Sequence, residues 1–217
     1  LTATPEEIRA ALTALVDEKT DGPEPAPLEP GSCPITTRLV ESFLLWESSQ
    51  TRADRAFEAL RAELVDLNEL RVCLPTEIVG IIGVRYPNAR ERADRIRTCL
   101  RAIFETQNQV SLGAMLEMPK RQARSTLDSL PGMVPFVSAR VVLLELGGHA
   151  FPVDSRVQEH LRAITEEEES DQSLASKLER VFRAGEIGPI HRALERTFDG
   201  PPKSRDRTRP KTGSRSK

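Results

Sequence analysis

The sequence predicts an all-α protein, on three observations. Apolar residues recur at helical spacing through most of the chain. Runs of alternating apolar and polar residues long enough for a strand are few. Pro, Gly and Asn punctuate the apolar segments where helices must start or stop.

The elements follow in order. Pro5-Glu6-Glu7 opens a helix expected to run to about Glu18, with Ile8, Leu12 and Leu15 on one stripe. Residues 21–34 contain Pro23, Pro25, Pro27, Pro30 and Pro34 with Gly22 and Gly31, a density that excludes regular helix and reads as an extended connector. Ile35, Leu39, Phe43 and Leu44 mark a second apolar face ending near Trp46-Glu47. Ala56, Leu60 and Leu64 give a third helix over about 52–65. From about Asn88 to Thr106, Ala93, Ile96, Leu100, Ile103 and Phe104 share one face. Short helices are expected at 111–117 and 119–129. Pro131 and Gly132 then stop the chain, because Pro lacks an N–H and Gly accepts positive φ. Pro135 to Leu146 is apolar nearly all round, so a buried helix is expected, ended by Gly147-Gly148. After Pro152-Val153-Asp154, residues Val157, Leu161 and Ile164 indicate another helix.

Composition sets limits. The chain has 217 residues, 38% of them hydrophobic and 29% charged, which suits one or two packed domains. No apolar run is long enough to span a bilayer and the first residues do not read as a signal peptide, so a cytoplasmic protein is expected, nucleoid-associated if bacterial. Cys33, Cys73 and Cys99 are an odd number at wide spacing, suggesting neither disulfides nor a metal site. His149, His160 and His191 lack metal-ligand spacing and read as structural or surface residues. No cofactor is expected.

Net charge is −2, but its distribution is uneven. From Pro201 onward stand Lys203, Arg205, Arg207, Arg209, Lys211, Arg215 and Lys217 against Asp206 alone, leaving eight more acids than bases in the rest. The tail has no large apolar residue, so it is expected to be disordered. It reads either as a polyanion-binding arm or as a solubilising terminus. Glu166-Glu167-Glu168-Glu169 with Asp171 reads as a solvated acidic loop.

One segment is specific. Leu130-Pro131-Gly132-Met133-Val134-Pro135-Phe136-Val137-Ser138-Ala139, then Val141-Val142-Leu143 and Val153-Asp154, resembles the helix–hairpin–helix and aspartate of the endonuclease III superfamily of DNA glycosylases. Leu44-Leu45-Trp46-Glu47-Ser48-Ser49 stands where that family has Leu-Leu-Ser and a Gln-containing turn. The resemblance spans roughly residues 35 to 165. It implies two helical lobes with a DNA cleft between them: a barrel lobe of about 48–133 and a second lobe from 1–47 plus 134–200. The chain then divides into an N-terminal helix (1–20), the Pro-rich connector (21–34), the helical domain (35–200) and the basic tail (201–217).

The resemblance also implies roles. Leu130, Pro131, Gly132, Met133 and Val134 would hold a phosphate through backbone N–H groups. Asp154 would stabilise the positive charge that develops on the sugar as the base leaves. Its other reading is an N-cap, with Ser155 and Gln158 at capping-box spacing able to relieve it of that duty. Glu47 reads as a second carboxylate acting as general acid, or as a solvated helix end. Trp46 reads as a base-stacking residue or as core. Lys120, Arg121 and Arg124 would meet phosphate or form an exposed face. Arg140, inside an apolar helix, needs Glu145 or a phosphate.

Three departures qualify the resemblance. Lyase members carry a nucleophilic lysine in the second hairpin helix. That place is Phe136 counting forward from Gly132 and Val137 counting back from Ala139, so no lysine-type lyase activity is expected. The next hairpin glycine is replaced by Val134 or Pro135, which weakens the phosphate clamp. Four cysteines beyond the aspartate, which hold an iron–sulfur cluster in many relatives, are missing, so the chain does not fit that cluster. Two functions stand: a monofunctional DNA glycosylase-like repair enzyme using Asp154, or a non-catalytic DNA-binding or interaction module on the same fold. Either is expected to act as a monomer on double-stranded DNA, weakly through the hairpin and also through the tail.

Overall fold

The computed structural model describes residues 4–16, 32–165 and 170–199. Residues 17–31, which take in the end of the expected N-terminal helix and most of the connector, the acidic residues 166–169 and the tail with Arg205, Arg207 and Arg209 lie outside them. Among the described residues there are helices and no strand. None of the helices is long and apolar enough to cross a membrane.

Helix α1 (Pro5–Thr13) starts in a capping box, Thr4 Oγ1 accepting from Glu7 N while the Glu7 carboxylate accepts from Thr4 N. It ends short of the expected Glu18. Leu15 and Val16 donate to the carbonyls of Leu12 and Thr13, so the chain leaves through tight i→i+3 turns at a β-branched threonine. Pro34 belongs to α2 (Pro34–Leu45) rather than to the connector, at the first helical turn where a missing N–H costs nothing. Residues Ile35 to Leu45 are all buried, so α2 is a central helix and not an amphipathic one.

The helix α3 (Gln50–Glu63) is capped by Ser49. The sequence reading does not anticipate α4 (Leu67–Val72) or α5 (Pro75–Ile82). Both are too short for a helical period to stand out, and the exposed apolar residues Val65, Val72 and Leu74 blur the pattern. The long helix α6 (Ala89–Gln107) matches its expected span within a residue at each end. A 3₁₀ turn (Gly113–Glu117) leads to α7 (Lys120–Asp128), and the hairpin leads to α8 (Pro135–Leu144). Helix α8 stops before the expected Leu146, where Gly148 N turns back to the Val142 carbonyl. Helix α9 (Ser155–Thr165) was read from its stripe; α10 (Asp171–Val181) and α11 (Ala184–Asp199) were not.

Two apolar cores result. The first gathers α2 to α8 around Leu39, Phe43, Leu60, Ile96, Leu100 and Val137. The second joins α1 to α9, α10 and α11 through Ile8, Leu12, Val157, Leu161, Leu178 and Leu194. Helix α8 serves both, with Val141 and Val142 in the first and Leu143 in the second. The residues between α8 and α9 therefore sit where the two cores meet.

Candidate functional site

The site is built around the C-terminus of α2, whose last carbonyls need donors. Arg92 of α6, fully buried, donates to the carbonyls of Phe43 and Trp46, and Tyr86 Oη donates to Leu44 O at 2.6 Å. The Arg92 guanidinium also reaches Pro87 O at 3.1 Å and lies 5.0 Å from the Tyr86 ring centroid. Burial pulls its pKa down to about 10, so it remains charged at neutral pH. Trp46 is half-buried, with the guanidinium groups of Arg92 and Arg95 over its ring at 5.6 and 5.5 Å.

The turn fixed in this way places Glu47 in the left-handed region, at φ +52°. A non-glycine residue held there marks a position that its surroundings over-determine. Glu47 N donates to Asp154 Oδ2 at 3.1 Å. In return Ser155 N donates to Glu47 Oε1 at 3.0 Å, and Ser155 Oγ donates to Glu47 Oε2. The α2–α3 turn and the start of α9 are thus clasped by two carboxylates.

Asp154 is fully buried and is the N-cap of α9. Its Oδ1 accepts from Arg156 N at 3.2 Å and Val157 N at 3.3 Å. Its Oδ2 also accepts from Arg156 Nε at 2.7 Å. The alternative box of Ser155 and Gln158 is not what caps α9: the Ser155 hydroxyl goes to Glu47, and Gln158 Nε2 donates to Asp171 Oδ1 at 2.6 Å.

Behind Arg156 stands Glu195 of α11. Arg156 Nη1 and Nη2 donate to Glu195 Oε2 and Oε1 at 2.9 and 3.2 Å, a two-point pairing. Burial pushes the Glu195 carboxyl up to about 7, against the pull of Arg156. His191, one turn earlier, is fully buried with no hydrogen-bond partner on either ring nitrogen among the described residues. Burial holds its pKa well below the usual value, so it is neutral, and its ring meets Phe136 edge-on at 6.1 Å.

Arg140 does not pair with Glu145. It is buried and donates to Ser42 Oγ at 2.9 Å, while Glu145 accepts from Arg38 Nε at 2.7 Å. Arg38 also donates to Glu41 at 2.7 Å. Burial pushes Glu41 up to about 7. The expected phosphate contact of Arg140 has no open route in this arrangement.

The hairpin crosses α6. Gly132 takes φ +81°, and a Cβ there would sit 3.2 Å from the Arg95 carbonyl oxygen. The Gly132 carbonyl accepts from Arg95 Nη1 at 3.2 Å, and Cys99 Sγ donates to Pro131 O at 3.1 Å. Burial pushes the Cys99 thiol up to about 12, so it acts as a donor and not as a nucleophile. Met133 N turns back to Leu130 O, and Val134 precedes Pro135 as the N-cap residue of α8. Lys120 Nζ donates to Gly147 O at 2.5 Å, and Arg124 donates to His149 O and Glu179 at 3.3 Å each. Two of the three expected phosphate ligands on α7 therefore brace the loop after α8, while Arg121 is exposed.

The fold recurs in solved structures. At a TM-score of 0.64 and 17% identity, the chain matches an endonuclease III–DNA covalent intermediate over 89% of its own length and 85% of the other. The H. pylori 3-methyladenine DNA glycosylase bound to 1,N6-ethenoadenine matches at 0.63 and 14% identity, over 91% and 98%. A thermostable thymine-DNA glycosylase matches at 0.61 and 13%, over 93% and 90%. The fold is that of the helix–hairpin–helix DNA glycosylases. No protein-family profile and no curated protein sequence matches the chain.

Within this glycosylase fold, the structure brings Asp154 and Glu47 together and sets them at the meeting of the two cores. The hairpin reaches them through Phe136, whose ring centroid lies 5.7 Å from the Arg156 guanidinium. Sequence reasoning missed Arg92, Arg156 and Glu195. Arg156 stands two residues from Asp154, the one local signal available. Arg92 and Glu195 lie on helices remote in sequence, and nothing in their spacing marks them.

Proposed function

We propose that this chain is a DNA repair protein of the base-excision type, binding double-stranded DNA and acting at most as a monofunctional glycosylase. The observation that supports it best is Asp154: a carboxylate at a helix N-terminus, where the hairpin's second helix meets the α2–α3 turn, in a fold whose solved examples include glycosylases on DNA. In the reaction proposed, the bond from the sugar to the base nitrogen breaks and its electron pair leaves with the base. Water forms the new bond at the sugar carbon, and the proton it gives up ends on the departed base. Asp154 stabilises the positive charge in between. Glu47 stays an auxiliary carboxylate beside it. Free backbone N–H groups of the hairpin, with Arg121 and the basic tail, supply phosphate contacts.

A second reading, a non-catalytic DNA-binding module, is favoured by one observation. Asp154 is 0% exposed and both its oxygens already accept hydrogen bonds, so the Glu47 turn must shift before a sugar can reach it. Incubation with duplexes carrying alkylated, deaminated or oxidised bases separates the two. Abasic sites formed on any of them support the enzyme; binding without base loss across the panel supports the module. Borohydride is expected to trap no adduct, because Phe136 and Val137 carry no amine.

A further inference from the structure

Arg156 is bonded to three parts of the chain at once. Its Nε holds Asp154 at 2.7 Å, Nη1 donates to the Ser48 carbonyl in the α2–α3 turn, and both terminal nitrogens hold Glu195 on α11. The guanidinium lies beside two aromatic rings, 5.7 Å from the Phe136 centroid and 5.1 Å from that of Phe198. A planar fork with five N–H donors meets all of these demands; an ammonium group cannot.

The chemistry of Asp154 depends on this arrangement. A carboxylate stabilises a developing positive charge only where it is held in line with it, so the groups that fix Asp154 decide its use. Glu195 matters because it takes the Nη1–Nη2 edge of the same guanidinium and fixes its plane. Phe136 gains a role as well. At one of the two positions that align with the single lyase lysine, it gives Arg156 an aromatic neighbour, whereas a lysine there would set a second cation against it.

We propose that Arg156 is the positioning residue of Asp154, keeping it aligned with the Glu47 turn, and that Glu195 is the anchor that holds Arg156 in place. This rests on the reading of Asp154 as the reacting carboxylate.

The test follows exchange of the Glu47 backbone amide, which donates to Asp154, by NMR in labelled full-length protein. Arg156→Gln is expected to speed it at least about tenfold, and Arg156→Lys to restore most of the protection. Glu195→Gln is expected to speed exchange of the Arg156 Nε proton, which donates to Asp154, at least about tenfold, because the guanidinium loses its hold on α11. If native protein releases a damaged base, both Arg156→Lys and Glu195→Gln should lower kcat with KM unchanged. A Glu47 amide equally protected in folded Arg156→Gln overturns the proposal, as does an Nε proton equally protected in Glu195→Gln. Should Arg156→Gln not fold, the Glu195→Gln exchange decides. Base release by the native protein judges the enzyme reading separately, since neither NMR readout needs activity.

Discussion

Glu47 donates its backbone N–H to the Asp154 carboxylate at 3.1 Å, joining two residues 107 positions apart. The Glu47 carboxylate answers by accepting from Ser155, so each acid satisfies a donor on the other's segment. The clasp places the one carboxylate with a chemical case under a turn held by Arg92. Any movement that opens Asp154 to a substrate must break it.

The clasp has a measurable strength. Glu47→Ala removes two hydrogen bonds from Ser155 and should lower stability by about 1–2 kcal/mol in urea unfolding. Asp154→Ala removes the cap of α9 and one of the two carboxylates on Arg156, which keeps its pairing with Glu195, so about 2–4 kcal/mol is expected. Equal, small effects from both would mean that the clasp does not hold the junction.

The hairpin depends on Gly132. An alanine there must adopt φ +81° with its Cβ 3.2 Å from the Arg95 carbonyl oxygen. Gly132→Ala should lose about 1–3 kcal/mol and bind duplex DNA more weakly than the native protein, read by calorimetry and by fluorescence anisotropy. Unchanged affinity would exclude the hairpin from the DNA contact.

Much of this fold is legible in the sequence, and the limits have physical causes. Helix α6 is long and carries one clear apolar stripe, so its bounds emerge from periodicity. Helices α4 and α5 are too short to show a period, and α2 is buried on every side, so its stripe understates it. Asp154 was legible because it follows the hairpin helix at a set distance. Its partners were not, since Arg156 pairs with Glu195 on α11 and Arg92 reaches α2 from α6, relations that exist only after packing. Arg140 illustrates the same limit: an arginine in an apolar helix suggests Glu145 or a phosphate as partner, while packing brings Ser42 of a neighbouring helix to it.

The buried acids make stability depend on pH. Burial raises Glu41 and Glu195 from 4.5 to about 7, so between those values the folded protein holds protons that the unfolded chain releases. Their contribution therefore falls as pH rises through that window. Neutral His191, held well below 6.5, acts in the opposite sense as pH drops. Glu195→Gln should lose less stability than the native protein between pH 5 and pH 8 in urea titrations. A parallel loss in both would show that Glu195 does not titrate there.

The tail carries a testable share of DNA affinity. Removal of residues 201–217 takes away seven basic side chains and one acid. If the tail lies on phosphate, each contact contributes about 0.9 to the slope of log affinity against log salt, so the truncated chain should bind more weakly with a flatter slope. An identical slope would leave the tail a solubilising terminus.

The most direct measurement is single-turnover base release by native protein and Asp154→Asn on the duplex that the native protein processes best. Asparagine keeps the shape and one acceptor oxygen but removes the charge. A rate about 100-fold lower or more is expected for Asp154→Asn, with duplex binding retained. Equal rates from the two proteins, or no base release from any damaged duplex by the native one, would contradict a catalytic Asp154.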